Sequence, residues 1–168
     1  TVYCDYGLDR FDANMPIDWV WGYSLSTQRP LLVPASMVYL TKNLFLGNFH
    51  PTTSGGLAAG TSMEDAILQG LYEIIEHDSW MIYQANAVTP SRVRPESIPD
   101  SGLQEIIKKI QHAGYQGIIN YLRNDLDIPV FRTWLVNEKD YVNFACCGYG
   151  ANLDPLIALS RSLTEAKL

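Results

Sequence analysis

Residues 63–84 form the stretch with the fewest structural options, and it reads as a helix. Thr61 or Ser62 stands at its N-cap, and Glu64 and Asp65 fill the first turn, where the helix dipole favours negative charge. At about 100° per residue, Asp65, Gln69, Glu73 and Glu76 share a stripe about 80° wide, with Met63, Ile67, Leu71, Ile74 and Met81 on the opposite side. The expectation is a helix that packs Ile67, Leu71 and Ile74 against a sheet and keeps its carboxylates on the other face.

Extended stretches lie on both sides of this helix. Residues 18–25 and 30–39, rich in Trp, Tyr, Val and Pro, precede it, and 117–123, 129–137 and 141–147 follow. A second helix is expected from Ser101 or Gly102 to Ala113, closed by Gly114, with Leu103, Ile106, Ile107 and Ile110 on its apolar face. A last helix opens at Asp154-Pro155, a cap followed by proline at the first helical position. The predicted class is α+β, a mixed sheet of at least five strands with packed helices. Residues 1–168 are expected to form a single domain, cut at both ends, because the chain starts without Met and stops inside a helix.

Composition narrows the function classes. With 47% apolar and 18% charged residues the chain is not of disordered type. A net charge of −6 lacks the basic footprint that a nucleic-acid partner needs. No apolar run approaches a membrane span and no signal-peptide pattern opens the chain, so no membrane association and a cytoplasmic location are expected. Cys4, Cys146 and Cys147 have neither zinc nor disulfide spacing, and the adjacent pair reads as small buried residues.

A solvated polar face is the ordinary reading of an amphipathic stripe. Here, however, no Lys or Arg occurs between Lys42 and Arg92, while Glu64, Asp65, Glu73, Glu76 and Asp78 all fall inside that interval. Like charges one turn apart cost a few tenths of a kcal/mol each, so the counter-charge must come from outside the helix. A hard divalent cation, held through oxygen and bridging substrate phosphates, suits that need, with Glu73 and Glu76 as candidate ligands. His77 borders the stripe, where an imidazole either touches phosphate or serves as a local hydrogen-bond partner. Asp78 projects nearer the apolar side and reads as a structural residue. The loop 48–60, with Gly55, Gly56 and Gly60, allows backbone to approach a ligand or another element closely. No Ser/His/Asp order, HExxH or Walker-type Gly-Lys-Ser/Thr is present.

Two helices also resemble each other at an offset of 92 residues: Ser62 falls on Asp154, Ala66 on Ala158, Leu71 on Leu163 and Glu73 on Glu165. Such an internal repeat puts a glutamate at the same depth on two helices.

The segments Ser54-Gly55-Gly56-Leu57-Ala58-Ala59-Gly60, Glu64-Asp65-Ala66-Ile67-Leu68-Gln69-Gly70-Leu71 and Glu73-Ile74-Ile75-Glu76-His77-Asp78 resemble the central signature of the YcaO family. Pro16-Ile17-Asp18-Trp19, Asp127-Ile128-Pro129-Val130 and Ala158-Leu159-Ser160-Arg161-Ser162-Leu163-Thr164-Glu165-Ala166 extend the likeness over most of the chain. The resemblance implies ATP and Mg2+ as cofactors, bound by glutamates on pseudo-symmetric helices. It implies phosphorylation of a peptide amide oxygen, then attack by a side chain, sulfide or amine to give an azoline, thioamide or amidine. Carried over by position, Glu73, Glu76 and Glu165 are the metal ligands, and Asp65, Gln69 and His77 lie at the nucleotide. The implied partners are a peptide or protein substrate and a protein that binds its leader, with a homodimer as one form of assembly.

His77 stands where the family commonly has Arg, and the family's upstream Gly-rich turn with its Glu-bearing helix has no counterpart in these residues. The segment alone is therefore expected to be inactive. Two other readings remain open at this point: a non-catalytic YcaO-like scaffold that presents a peptide to a partner enzyme, and an acidic domain that holds only a structural metal.

Overall fold

The computed structural model describes residues 10–40, 44–47, 49–51, 53–137 and 145–166. Contacts divide the chain into two units, Thr1–Ser54 and Gly55–Leu168. Cys4, Lys42 and positions 141–144 of the last expected strand lie outside the described residues.

In the first unit, β1 (Trp19–Ser24) and β2 (Arg29–Pro34) pair antiparallel, with Trp19 opposite Pro34 and Trp21 opposite Leu32. Period-two alternation leaves Trp19, Trp21 and Tyr23 exposed on one face. The extended stretch expected over 30–39 stops at Pro34, and a single helical turn, α1 (Ala35–Val38), follows. Its small residues explain the turn: Ala35 and Ser36 are buried, and the Ser36 hydroxyl donates to the Gly47 carbonyl at 3.0 Å.

The second unit contains α2 (Met63–Ala85), β3 (Ser91–Val93), α3 (Ser101–His112), β4 (Tyr115–Tyr121), β5 (Val130–Asn137), β6 (Ala145–Ala151) and α4 (Pro155–Glu165). Local chemistry sets the helix starts. The side chains of Ser62, Asp100 and Asp154 accept from the backbone N–H of Asp65, Leu103 and Leu156. Strands pair in the order β3-β4-β5-β6. The class is α+β, as expected. Among the described residues every pair is antiparallel, and the strands form two sheets instead of one mixed sheet of five. The few residues that separate β4, β5 and β6 in sequence account for the strand sense, because a parallel crossover needs a dozen or more. Between β4 and β5, Asn124 closes the turn by accepting from Leu126 and Ile128 N–H and donating to the Ile128 carbonyl.

Each face of the sheet has its own core. Ile119 and Phe131 pack with Leu103, Ile107, Leu159 and Leu163 from α3 and α4. Leu122, Val130 and Ala151 pack on the other side with Tyr72 from α2. α4 comes unusually near its sheet because β6 presents Gly148 and Gly150 to it. A Cβ on Gly150 would lie 2.7 Å from Ser162 N and would also strike the Ala158 carbonyl. Across this contact the Thr133 and Ser162 hydroxyls hydrogen-bond at 2.9 Å, fully buried.

The orientation of α2 differs from the expectation. Its buried residues are Gly70, Tyr72 and Ser79, whereas Leu71 (43% exposed), Ile74 (53%) and Met81 (51%) face outward. The inward stripe is the one that carries Asp65, Gln69, Glu73 and Glu76, all half-buried. Tyr72, Ser79 and Tyr83 interleave with them at spacings of three and four, so the stripe has apolar packing of its own. Ile74→Ala is therefore expected to cost under about 1 kcal/mol, and Ile119→Ala about 2–5 kcal/mol. Denaturant melts of the two variants check the assignment, and a larger loss at Ile74 would reverse it.

Candidate functional site

α2 and α4 converge on the edge of β6 that pairs with no other strand among the described residues. Asp65 opens the first line of contacts: it accepts from Thr61 N–H at 3.0 Å and from the Gln69 amide at 3.1 Å. The Gln69 carbonyl oxygen in turn accepts from Arg161 Nη2 of α4. These bonds and the Arg161 charge hold the Asp65 carboxyl below its ordinary range, backbone N–H first. The loop before α2 lies against the helix itself: a Cβ on Gly70 would meet the Gly56 carbonyl at 2.7 Å, and Gly56 sits at φ +81°. The close approach that the glycines permit is thus loop to helix.

Glu76 stands at the centre of the acidic group. Burial, then the charges of Glu165 and Glu73, push its carboxyl up to about 7, while Arg161 and the Ala151 N–H oppose the rise. Glu165 reaches the same strand edge, where its Oε2 accepts from Tyr149 N–H at 2.9 Å. Two edge amides of β6, at Tyr149 and Ala151, therefore face carboxylates from α4 and α2, which satisfies donors that a free edge leaves unpaired. His77 sits on the rim, half exposed, with Nε2 3.9 Å from Glu73 Oε1. Asp78 is exposed.

A pH dependence follows. Between about 4.5 and about 7 the unfolded chain has released the Glu76 proton and the folded chain has kept it. Stability is therefore expected to fall as pH rises through this window, by on the order of 3 kcal/mol once the loss is complete. A cation that binds the ionised form offsets the loss. Thermal melts across pH 4–8, with and without Mg2+, test this, and Glu76→Gln should flatten the curve.

Among the described residues, no three His, Cys, Asp or Glu side chains are gathered into a ready-made metal cage. Glu73, Glu76 and Glu165 are nevertheless coupled through their charges. Their oxygen-only donors suit a hard cation such as Mg2+ and give no site for a thiophilic one. They fit as part of a ligand set. Arg161 is the residue that reading the sequence for site candidates passed over. It supplies the cation that α2 lacks, and the repeat held the clue: Gln69 and Arg161 are 92 positions apart, the offset that superposes Glu73 on Glu165.

The family model described as YcaO cyclodehydratase, ATP- and Mg2+-binding, matches residues 3–167, and the chain belongs to this family. Its relatives include an uncharacterised protein from the tfuA 3' region of Rhizobium leguminosarum bv. trifolii, 29% identical over 92% of this chain and 39% of the relative. Among solved structures, a heterocyclase in complex with substrate and cofactor is similar at TM-score 0.81 and 29% identity, over 94% of this chain and 21% of that one. The YcaO of Methanopyrus kandleri bound with AMPPCP and Mg2+ is similar at TM-score 0.75 and 30% identity, over 88% and 39%. The chain spans about two fifths of the length of the curated relatives it matches. No described helix is long and apolar enough to cross a membrane.

Proposed function

We propose that the protein carrying this segment activates a backbone amide of a peptide with ATP and Mg2+, as a step toward an azoline or a thioamide in a modified peptide. The observation that supports this reading most directly is the half-buried Glu76, which feels the charges of Glu73, Glu165 and Arg161 at the β6 edge. Glu73, Glu76 and Glu165 would hold Mg2+, which supplies positive charge against the phosphates. Asp65 and Gln69 brace Arg161, whose guanidinium is then positioned to face phosphate oxygen. His77, on the rim, would adjoin the nucleotide.

In the chemistry proposed, the γ-phosphoryl group leaves ADP and bonds to the amide oxygen. A nucleophile adds at the amide carbon and gives up its proton. The C–O bond then breaks, and phosphate departs with the former amide oxygen, a far better leaving group than oxide. A peptide whose reacting amide carries 18O is expected to place that label in the released phosphate. Unlabelled phosphate alongside modified peptide would overturn the proposed order of bonds. A second protein that binds the peptide's leader and a homodimeric assembly belong to the same proposal, and co-purification with size measurement in solution would reveal them.

A further inference from the structure

One row of polar side chains crosses the sheet on the α2 side and takes no part in the carboxylate group. Register places Arg92, Asn120, Arg132 and Tyr149 side by side on β3, β4, β5 and β6. Direct opposition in an antiparallel pair puts such residues on the same face. Arg132 is the anchor. Its Nη2 donates to Asn120 Oδ1 at 3.2 Å, and its guanidinium carbon lies 5.5 Å from the centre of the Trp134 ring. The Tyr149 hydroxyl lies beside both Arg132 and the Cys147 thiol.

In a chain with 18 acidic and 12 basic residues, the charge state of this row is unusual. Neither Arg92 nor Arg132 forms an ion pair among the described residues. Arg132 Nε is buried and has no hydrogen-bond partner there. A guanidinium costs several kcal/mol to desolvate, and a fixed fork with one donor unanswered is matched best by a planar or tetrahedral oxyanion. The row also adjoins the carboxylate group, because the backbone N–H of Tyr149 donates to Glu165. The Tyr149 ring is 5.6 Å from that of Trp80, which follows Glu76 on α2 by one turn.

We propose that Asn120, Arg132 and Tyr149 form an oxyanion-binding subsite beside the carboxylate group, with Trp134 as its platform. It takes a carboxylate of the peptide or a free phosphate. The role assigned to the bound group rests on the proposed function, since a peptide carboxylate here would orient the strand being modified, and phosphate would be its product. Binding itself does not depend on turnover, so the subsite and the activity can fail separately.

The test is a titration of the full-length protein followed by NMR of the arginine Nε–H groups, with Arg132 assigned through Arg132→Lys. Inorganic phosphate and N-acetyl-glutamate amide are added in separate arms. The Arg132 Nε–H signal is expected to shift and saturate with at least one of them. Saturation by the glutamate probe alone assigns a peptide carboxylate, by phosphate alone a phosphate, and by both a general oxyanion site. Calorimetry should show affinity for the effective probe about tenfold weaker in Arg132→Lys, which keeps the charge and loses the fork. Asn120→Ala serves as a second variant should Arg132→Lys fail to fold. No shift with either probe, or equal affinity in a folded variant, overturns the proposal.

Discussion

Glu76→Gln in the full-length protein is expected to reduce ATP turnover at least about a hundredfold and to leave the fold intact, and Glu73→Gln is expected to do the same. Each exchange keeps the shape of the side chain and removes the charge that a hard cation requires, and lost stabilisation of developing phosphate charge typically has effects of this size. The opposite sign is expected for stability. Burial and two neighbouring carboxylates already push Glu76 up to about 7. An uncharged amide at that position removes the repulsion, so at pH 8 without Mg2+ the variant should melt at or above the wild-type temperature. Phosphate release in the presence of substrate peptide measures the first effect, and calorimetric melting the second. Near wild-type turnover in both variants would rule out the metal-ligand role.

Gly150→Ala is expected to be among the most damaging single substitutions in the second unit. Its Cβ would meet the Ala158 carbonyl and Ser162 N, both backbone atoms of α4 that no side-chain rotation can move aside. α4 would have to lift from β6. The expected cost is about 3 kcal/mol, at the upper end of ordinary overpacking, because Thr133 and Ser162 would also lose their buried hydrogen bond. The site would fail with the packing, since Arg161 and Glu165 both ride on α4. Gly117 provides the contrast. Nothing lies within 4 Å of a Cβ built there, so Gly117→Ala is expected to be neutral or stabilising by up to about 1 kcal/mol. Chemical denaturation of the two variants measures the difference, and equal stabilities would show that α4 does not depend on the glycines of β6.

Much of the second unit was legible locally. The start of α2 is legible at Thr61 or Ser62 with the acidic first turn, and the cap is Ser62; that of α3 is legible at Ser101 or Gly102, and that of α4 at Asp154-Pro155. Strands over 117–123 and 129–137 were displaced by no more than two residues at either end, because β-branched and aromatic runs between turn residues signal themselves. The family signature around Glu73 and Glu76 was legible too, and the match over residues 3–167 bears it out. The helical turn at Ala35–Val38 was not legible. It depends on the Ser36 hydroxyl reaching Gly47, eleven residues away, and no local pattern carries that contact.

Sequence by itself determined the three long helices, the strands over 117–123 and 129–137 and which helix bears the carboxylates, since caps, periodicity and composition act over a few neighbouring residues; the turn at Ala35–Val38 and the short strand β3 were not among them. Only the tertiary structure decided which side of that helix faces inward. A simple division into apolar and polar residues turned Leu71 and Ile74 toward the sheet, yet the stripe of Asp65, Gln69, Tyr72, Glu76, Ser79 and Tyr83 is the one that packs. The physical reason lies on other elements. A carboxylate can be buried only where partners await it, and Arg161 of α4 with the edge amides of Tyr149 and Ala151 supply them from residues more than seventy positions away.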